Sequence, residues 1–405
     1  MGLLYQDELL DTFGTWALAY IPYGGPDFGE IAAVASAVRD GGGEAFHECW
    51  VAAGARAAKQ AEEALQARRT TSARELFLRA SAFYASSLHP LFGAPVDPRL
   101  VAAFRKQVGA FDKGLALFDP PVTPRTIPFE GESMPAYFIA AEGLAGERRP
   151  TIIFTNGYDG TIADMYFASA VAARRRGYHS LLFDGPGQGA MLFERNIPLR
   201  PDWETVISAV VDFALTLPEV EPGKIALSGW SLGGYLSPRA ASGEHRLAAC
   251  IADPGQWAML DSFRPAAIRM GLPPSVAADL GAIDASAARQ FEAMIAANKA
   301  LDWKIVRRGF WANGVSNLRD YLKEAERFTM RGRAELIRCP TLITVAENDP
   351  LAQGAQTLFD ALKCPKTLIG FAAAEGAGDH CEMMNRSLLN RTVFDWLDET
   401  LGARA

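Results

Sequence analysis

The sequence has 405 residues, of which 49% are hydrophobic and 21% are charged, and its formal net charge is −7. This is an ordinary globular composition, and the length allows about two to three structural units around a large buried core. The acidic balance argues against a nucleic-acid surface, and the one short basic cluster, Arg174-Arg175-Arg176, is interpreted as the end of a helix, so we expect no nucleic-acid partner.

The five cysteines have no C-x-x-C spacing, which favours reduced thiols over a disulfide framework or a zinc site. No apolar run approaches the ~18 residues that a membrane span needs, and residues 1–8 lack the basic stretch of a signal peptide. We therefore expect a cytoplasmic protein that binds neither a membrane nor a metal ion.

Residues 1–121 are predicted to form a helical cap region. From about Glu44 to Leu88 the chain is rich in alanine, and apolar side chains recur roughly every three or four residues, with a break after Arg69. No internal repeat of roughly 20 to 50 residues is evident, which disfavours a helical solenoid.

After Asp119-Pro120-Pro121 the pattern becomes extended. The runs 125–129 and 135–139 flank a turn at Glu130-Gly131-Glu132 and predict a β-hairpin. Short apolar runs then alternate with helix-length segments, which is typical of a parallel sheet covered by helices on both faces. These predicted strands lie at 151–154, 180–183, 225–227, 249–252, 342–345 and 367–369.

The sheet core is predicted in two parts, residues 122–255 and 336–405, which are separated by a helical insertion at 256–335. About 80 residues lie between the strands on either side of the insertion, whereas a crossover needs only about a dozen. Asp284 and Ser316 are each placed to cap a helix of this insertion. Because ligands bind at the carboxyl ends of the strands in open α/β sheets, an insertion there would form a lid.

The stretch Gly229-Trp230-Ser231-Leu232-Gly233 joins a short apolar strand to a helix-like segment, Tyr235–Ala241. A G-x-S-x-G pattern between a strand and a helix places the serine at the apex of a strained turn, which only small neighbours tolerate. A glycine-rich turn with an inert serine is the alternative that the five letters alone permit. The strand, the helix and the partners further along the chain favour Ser231 as a nucleophile.

A serine hydroxyl needs a histidine to take its proton and a carboxylate to orient that histidine. Of the five histidines, His380 lies in a small-residue loop after the last predicted strand and before a closing helix. Asp349 lies just past the preceding strand, and Glu347 and Asp253 are the less favoured carboxylates. The order Ser231, Asp349, His380 resembles that of the α/β-hydrolases.

Attack on a carbonyl creates an oxyanion, which two N–H groups must stabilise. We expect one N–H from the backbone of Leu232. The other is expected from Tyr158, in the glycine-rich segment Asn156-Gly157-Tyr158-Asp159-Gly160 that follows a predicted strand. A plain turn is the competing interpretation of that segment.

Two further features have structural interpretations. The segment Asp184-Gly185-Pro186-Gly187-Gln188-Gly189 is neither G-x-G-x-x-G nor a P-loop, so we interpret it as a turn. Several aromatic side chains could either line a pocket or fill the core, and no spacing rule separates the two roles. They are Trp16, Tyr20, Trp50, Trp257 and Trp311.

The chain as a whole resembles the α/β-hydrolase superfamily. The resemblance is to a branch that contains the dihydroxypseudooxynicotine carbon–carbon hydrolases and the fungal polyketide-shortening hydrolases of melanin synthesis. It rests on the 229–234 elbow, the 155–160 loop, the 184–189 turn and the helix at 73–80, and it runs nearly end to end. It implies an α/β-hydrolase fold with a helical N-terminal extension.

The resemblance also implies site roles, because the matching side chains of that branch form the triad assigned above to Ser231, Asp349 and His380. It implies cleavage of a carbon–carbon bond beside a ketone on an aromatic or polyketide-like substrate, although relatives in the wider group hydrolyse esters. Some members use an extra acidic residue from the insertion, for which Asp261 is a candidate counterpart. The resemblance is compatible with a homodimer.

We therefore expect a cofactor-free serine hydrolase that acts on a small hydrophobic substrate through an acyl-enzyme. One alternative is a serine peptidase or acyltransferase with the same triad, which a comparison of amide, ester and diketone substrates would distinguish. The other is a binding protein on an inactive hydrolase scaffold, which labelling of Ser231 by a fluorophosphonate would contradict.

Overall fold

The computed structural model describes residues 2–402, and its strands form one eight-stranded sheet. The strands are β1 (Pro124–Phe129), β2 (Glu132–Ile139), β3 (Arg149–Thr155), β4 (His179–Phe183), β5 (Val220–Trp230), β6 (Ala249–Asp253), β7 (Thr341–Ala346) and β8 (Lys366–Phe371). Their order in the sheet is β1-β2-β4-β3-β5-β6-β7-β8. Within this sheet β1–β2 and β2–β4 pair antiparallel, and the other neighbours pair parallel.

The central strands are buried on both faces, which explains their continuous apolar runs. Ile153 of β3 lies opposite Leu181 of β4 on one side and Leu227 of β5 on the other, and all three are fully buried. Burial of one such side chain contributes ~1.5–3 kcal/mol, so these strands anchor the fold. The predicted α/β architecture with a mostly parallel sheet is confirmed.

Among the described residues, five α-helices precede the sheet: α1 (Glu8–Thr15), α2 (Phe28–Val38), α3 (Gly42–Gln66), α4 (Thr70–Ser87) and α5 (Pro98–Ala116). Two 3-10 helices, Trp16–Tyr23 and His89–Leu91, lie between them. Small residues let α3 and α4 approach closely, since a Cβ on Gly54 would lie within 2.8 Å of the Tyr84 ring. The buried side of α3 carries apolar residues at the predicted helical spacing: Phe46, Trp50, Ala53, Ala57 and Ala61.

The remaining helices are α6 (Ile162–Met165), α7 (Val171–Arg175), α8 (Gly189–Phe193), α9 (Trp203–Ala214), α10 (Gly233–Ala241), α11 (Phe263–Arg269), α12 (Pro274–Ala278), α13 (Ala285–Ala296), α14 (Lys299–Leu301), α15 (Phe310–Ala312), α16 (Leu318–Glu326), α17 (Ala355–Ala361) and α18 (Arg386–Leu401). Helices α9 and α10 share one buried cluster with the sheet, and α7 and α18 share another. No described helix is both long and apolar enough to cross a membrane.

Helices α11 to α16 lie between β6 and β7, and the two ends of that segment are tied together. Ala258 and Thr329 form an isolated antiparallel bridge, and the Met330 N–H donates to the Trp257 carbonyl at 2.8 Å. Asp284 caps α13 as predicted, because its side chain accepts two backbone N–H groups of the first turn. The segment is therefore a helical insertion whose two ends are hydrogen-bonded to each other.

Helix α16 is capped by Asn317, so the prediction of Ser316 was wrong by one residue. The Asn317 backbone is extended, and its Oδ1 accepts the N–H of Asp320 at 2.9 Å. Ser and Asn are both strong N-cap types, and the apolar spacing of the helix does not separate two adjacent positions.

The N-terminal helices also contact the segment between β6 and β7. The Trp303 indole N–H donates to the carbonyl of His89 at 2.8 Å, and the Arg307 guanidinium donates to the carbonyl of Pro90 at the same distance. Trp303 packs against Phe13 and Phe92 in one buried aromatic cluster. These contacts join the N-terminal region to the segment between β6 and β7, although the two are far apart in sequence.

Candidate active site

A sharp turn between β5 and α10 presents Ser231. Its backbone φ is +56°, which side-chain-bearing residues rarely adopt. A Cβ on Gly229 would lie 2.1 Å from the Gly233 carbonyl oxygen, and one on Gly233 would lie 2.7 Å from the Thr155 carbonyl oxygen. The glycines are therefore steric requirements of the turn, as the sequence pattern predicts.

Ser231, His380 and Asp349 meet at the carboxyl end of the sheet. His380 Nε2 lies 3.0 Å from Ser231 Oγ, and His380 Nδ1 lies 2.7 Å from Asp349 Oδ2. The Asp349 side chain is fully buried, whereas a third of the His380 side chain is exposed. The same carboxylate accepts the N–H of Leu351 at 2.9 Å, which fixes its orientation. The structure thus brings together three residues that the sequence places far apart.

Asp349 and His380 each stabilise the ionised form of the other. Burial opposes ionisation of Asp349, but the charge and hydrogen bond of His380 outweigh it and hold the pKa of the carboxyl below its usual value. Burial likewise opposes a charged imidazole, but the Asp349 carboxylate outweighs it and raises the pKa of His380 above its usual value. The imidazole is therefore a stronger base than a free histidine.

The two rival carboxylates lie elsewhere. Glu347 Oε2 accepts the Ala373 N–H at 2.7 Å, on the exposed side of the loop. Asp253 accepts from the Thr344 hydroxyl at 2.9 Å and pairs with the buried Arg386 guanidinium at 3.1 Å. Asp349 is therefore the carboxylate that contacts the His380 imidazole.

Gly157 lies next to Ser231 and to the Leu232 amide, where the sequence predicts an oxyanion site. A Cβ at Gly157 would lie 2.7 Å from the Leu232 amide nitrogen and 3.1 Å from Ser231 Oγ, so the glycine leaves this volume empty. Within residues 2–402 neither the Leu232 N–H nor the Tyr158 N–H is bonded to another backbone group. A free Leu232 N–H beside this volume is the kind of donor that stabilises a tetrahedral intermediate, and the Tyr158 N–H stays the predicted second donor.

The segment between β6 and β7 contacts the loop that carries Tyr158 and Asp159. Arg308 Nη1 donates to both carboxylate oxygens of Asp159, at 2.9 and 2.7 Å, and the guanidinium lies 4.6 Å from the centre of the Tyr158 ring. The Asn313 amide donates to the Tyr158 hydroxyl at 2.8 Å. Sequence reasoning missed Arg308 and Asn313, because no local pattern connects them to a loop about 150 positions earlier.

The cleft beside Ser231 has aromatic and apolar walls. Trp16, Trp230 and Met383 line it, and its volume of about 10 Å³ holds about one water molecule. Trp16 is thus the member of the predicted aromatic set that reaches the site. Tyr20, Trp50 and Trp311 are buried in the core, and Trp257 packs against it. Since Trp16 belongs to the N-terminal region, that region forms part of the cleft.

Asp349, His380 and Cys381 offer ligand atoms within 4.8 Å of one another, a grouping that a metal ion could in principle use. The Ser231 N–H donates to Cys381 Sγ at 3.1 Å. Burial raises the pKa of the Cys381 thiol well above its usual value, which disfavours the thiolate that metals bind. With both imidazole nitrogens already hydrogen-bonded, the group is suited to proton transfer.

Asp261, the candidate extra acidic residue, lies apart from the cleft. Its carboxylate accepts the Ala258 N–H at 3.1 Å and pairs with Arg264 at 2.8 Å, so it stabilises the start of the segment between β6 and β7.

A sharp strand-to-helix turn that presents a serine at the carboxyl end of a mostly parallel sheet, with a histidine and then an aspartate hydrogen-bonded in series, is typical of the α/β-hydrolases. The chain matches the alpha/beta hydrolase family across residues 152–388 and belongs to that family. The resemblance predicted from the sequence is confirmed.

Relatives with known names match nearly the whole length of this chain. Hydrolase LUC6 of a Fusarium species is 31% identical over 99% of this chain and 97% of its own length. The 20-hydroxy-prefusarin hydrolase FUS2 of Gibberella moniliformis is 32% identical over the same shares. The crystal structure of the 2,6-dihydroxy-pseudo-oxynicotine hydrolase has the same fold, with a TM-score of 0.73 at 21% identity over 96% of this chain and 97% of that one.

Proposed function

We propose that this α/β-hydrolase is a serine hydrolase that cleaves a carbon–carbon bond next to a ketone, or an ester bond, in a hydrophobic aromatic or polyketide-like substrate. The observation that carries the proposal is the position of His380 between Ser231 Oγ at 3.0 Å and Asp349 Oδ2 at 2.7 Å. A neutral imidazole in this position can take the serine proton, and the carboxylate stabilises the imidazolium that forms.

The first half-reaction forms an acyl-enzyme. Ser231 Oγ attacks the carbonyl carbon while His380 Nε2 takes its proton, and the oxyanion is held over Gly157 by the Leu232 and Tyr158 amides. The tetrahedral intermediate then breaks its bond to the leaving group. That group departs as an alcohol from an ester or as a carbon acid from a ketone, and in both cases His380 supplies the proton.

The second half-reaction is hydrolysis. Water loses a proton to His380 and attacks the acyl carbon, and Ser231 regains its proton as the carboxylic acid product leaves. No resident cofactor takes part in either half of this scheme.

The proposed substrate class rests on the cleft and on the relatives. Trp16, Trp230 and Met383 favour an apolar acyl group. One relative is named for hydrolysis of 20-hydroxy-prefusarin, and a protein of the same fold is named for hydrolysis of 2,6-dihydroxy-pseudo-oxynicotine. A soluble cytoplasmic location and a homodimeric assembly stay predictions.

The test combines labelling and turnover. A fluorophosphonate should label the native chain at Ser231, and Ser231→Ala should lose both the label and the hydrolysis of aryl esters or β-diketones. The matched control is Ser262→Ala, which removes a hydroxyl that bonds the Met259 carbonyl within its own turn. Unchanged turnover in Ser231→Ala would refute the proposal. Amide cleavage, or transfer to an added acyl acceptor in preference to water, would make the enzyme a peptidase or an acyltransferase.

A further inference from the structure

A second cavity lies between helix α5 and the sheet. Its volume is about 340 Å³, and none of its lining residues lines the cleft beside Ser231. Phe104, Val108 and Phe111 of α5 form one wall, and Tyr137 of β2 and Ile162 of α6 also line the cavity. The cavity is thus largely apolar and large enough for a small organic molecule.

Two polar side chains in its lining each have an atom without a partner. Gln107 and Asp184 are each only 2% exposed, and Gln107 Oε1 and Asp184 Oδ1 are buried without a hydrogen bond. The other oxygen of Asp184 accepts the Ala190 N–H at 3.0 Å. Because an unpaired buried polar atom is destabilising, a group that satisfies both atoms would bind favourably.

Both free atoms are hydrogen-bond acceptors. The Thr161 hydroxyl has a single proton, which it donates to Asp164 Oδ2 at 2.7 Å. It can therefore only accept from Gln107, so the Gln107 side chain turns its amide nitrogen to Thr161. The carbonyl oxygen of Gln107 is then its unpartnered atom, and because Asp184 lines the same cavity with another free acceptor, a matching ligand must donate.

The charges around the cavity leave Asp184 without a cation. Arg105 donates to Glu194 at 2.7 Å, and the Tyr137 hydroxyl donates to Asp112 at 2.6 Å. Arg195 donates to the Ser133 carbonyl at 2.6 Å and reaches Glu132 at 3.4 Å. Both arginines and the Tyr137 hydroxyl are thus engaged by acceptors other than Asp184.

Burial, opposed by the Ala190 N–H and helped by nearby Asp164 and Glu194, raises the pKa of Asp184 to about 7. A donor that also carries positive charge would therefore gain the most, since it would pair with the ionised carboxylate.

We propose that this cavity is a binding site for a small molecule that carries one ammonium group on an apolar body. The ammonium donates to Asp184 Oδ1 and Gln107 Oε1, and the apolar body packs against Phe104, Phe111 and Ile162. This site does not depend on the role proposed for Ser231.

Binding should strengthen with pH. The ammonium pairs with the ionised carboxylate, and the ionised fraction of a group with a pKa of about 7 rises about tenfold between pH 6 and pH 8. The affinity for a ligand that stays cationic over this range should rise about tenfold as well. A neutral ligand of the same shape should show no such rise.

The probe is benzylamine, titrated calorimetrically into the full chain at pH 6 and pH 8, with benzyl alcohol and benzoate as the neutral and anionic counterparts. We expect saturable binding of benzylamine that is about tenfold tighter at pH 8, weaker binding of the alcohol, and no binding of benzoate. Asp184→Asn should abolish the pH dependence, whereas Asp360→Asn, which removes an exposed charge on α17, should preserve it.

A second variant guards against a folding effect of Asp184→Asn. Gly109 of α5 lines the cavity, and a Cβ built there meets no atom within 4 Å. Gly109→Leu should therefore fill the cavity without straining the helix and weaken benzylamine binding at least tenfold. The proposal is overturned if benzylamine shows no saturable binding, as for a cavity that holds only water. It is also overturned if the alcohol binds equally well at pH 8, or if neither Asp184→Asn nor Gly109→Leu weakens binding.

Discussion

Replacing Arg308 by alanine should slow turnover by loosening the loop that carries the Tyr158 amide. The guanidinium holds both oxygens of Asp159, at 2.9 and 2.7 Å, and covers the Tyr158 ring. The Arg308 and Asp159 side chains are only 16% and 12% exposed, so water and salt screen this ion pair weakly. The contact thus ties the segment between β6 and β7 to the proposed oxyanion site.

The magnitude follows from the contact. A hydrogen bond to a charged group contributes ~1.5–3 kcal/mol, and we take ~2 kcal/mol for the coupling of Arg308 to Asp159. If this free energy holds the Tyr158 N–H in place, its loss corresponds to a ~30-fold fall in kcat. The upper bound is the loss of one oxyanion donor, ~10²–10³ in kcat. KM should change little, because the donor acts on the transition state.

The assay is a double-mutant cycle on kcat for an aryl ester, with Arg308→Ala, Asp159→Asn and the double variant. Both single variants break the same pair, so the double variant should be about as slow as either one. The control is Arg307→Ala, because the Arg307 guanidinium bonds the Pro90 carbonyl at the N-terminal region instead of the loop. Additive losses, about 900-fold in the double variant, or an equal loss in Arg307→Ala, would refute the coupling.

Four further outcomes are expected. The value of kcat/KM should fall as the pH drops through the pKa of His380, which lies above 6.5, because the protonated imidazole cannot take the serine proton. Asp349→Asn should lower kcat ~10⁴-fold and move this acid limb to lower pH; an unmoved limb would mean that another group titrates. Gly234→Ala should lower the free energy of unfolding by ~1–3 kcal/mol in urea titrations, since its Cβ would lie 1.9 Å from a carbonyl oxygen. Gly223→Ala, whose Cβ meets no atom within 4 Å, is the matched control, and equal losses in both would contradict the steric reasoning. Trp16→Ala should raise kcat/KM for a bulky acyl ester relative to acetate by at least ~10-fold; an unchanged ratio would place the acyl group elsewhere.

Local sequence patterns were enough to predict most of the architecture. The strands are short apolar runs and the helices are amphipathic, and both periods can be recognised within a dozen residues. The elbow at Ser231 could be predicted because its steric demands fall on adjacent positions. Asp349 and His380 followed because parallel strands end at one edge of the sheet, so residues just past them in chain order become neighbours. The cap of α16 was misplaced at Ser316, since two adjacent cap-forming residues give the same local pattern.

The contacts that join distant segments were decided by the tertiary structure alone. Arg308 reaches Asp159 across 149 positions, and Trp16 reaches the cleft from the other end of the chain. Gln107 and Asp184 line one cavity only because α5 packs on the sheet. An arginine, a tryptophan or a glutamine is compatible with many environments, so its residue type does not specify its partner. The sequence by itself determined which elements form and where the serine stands; the packing of those elements determined what surrounds it.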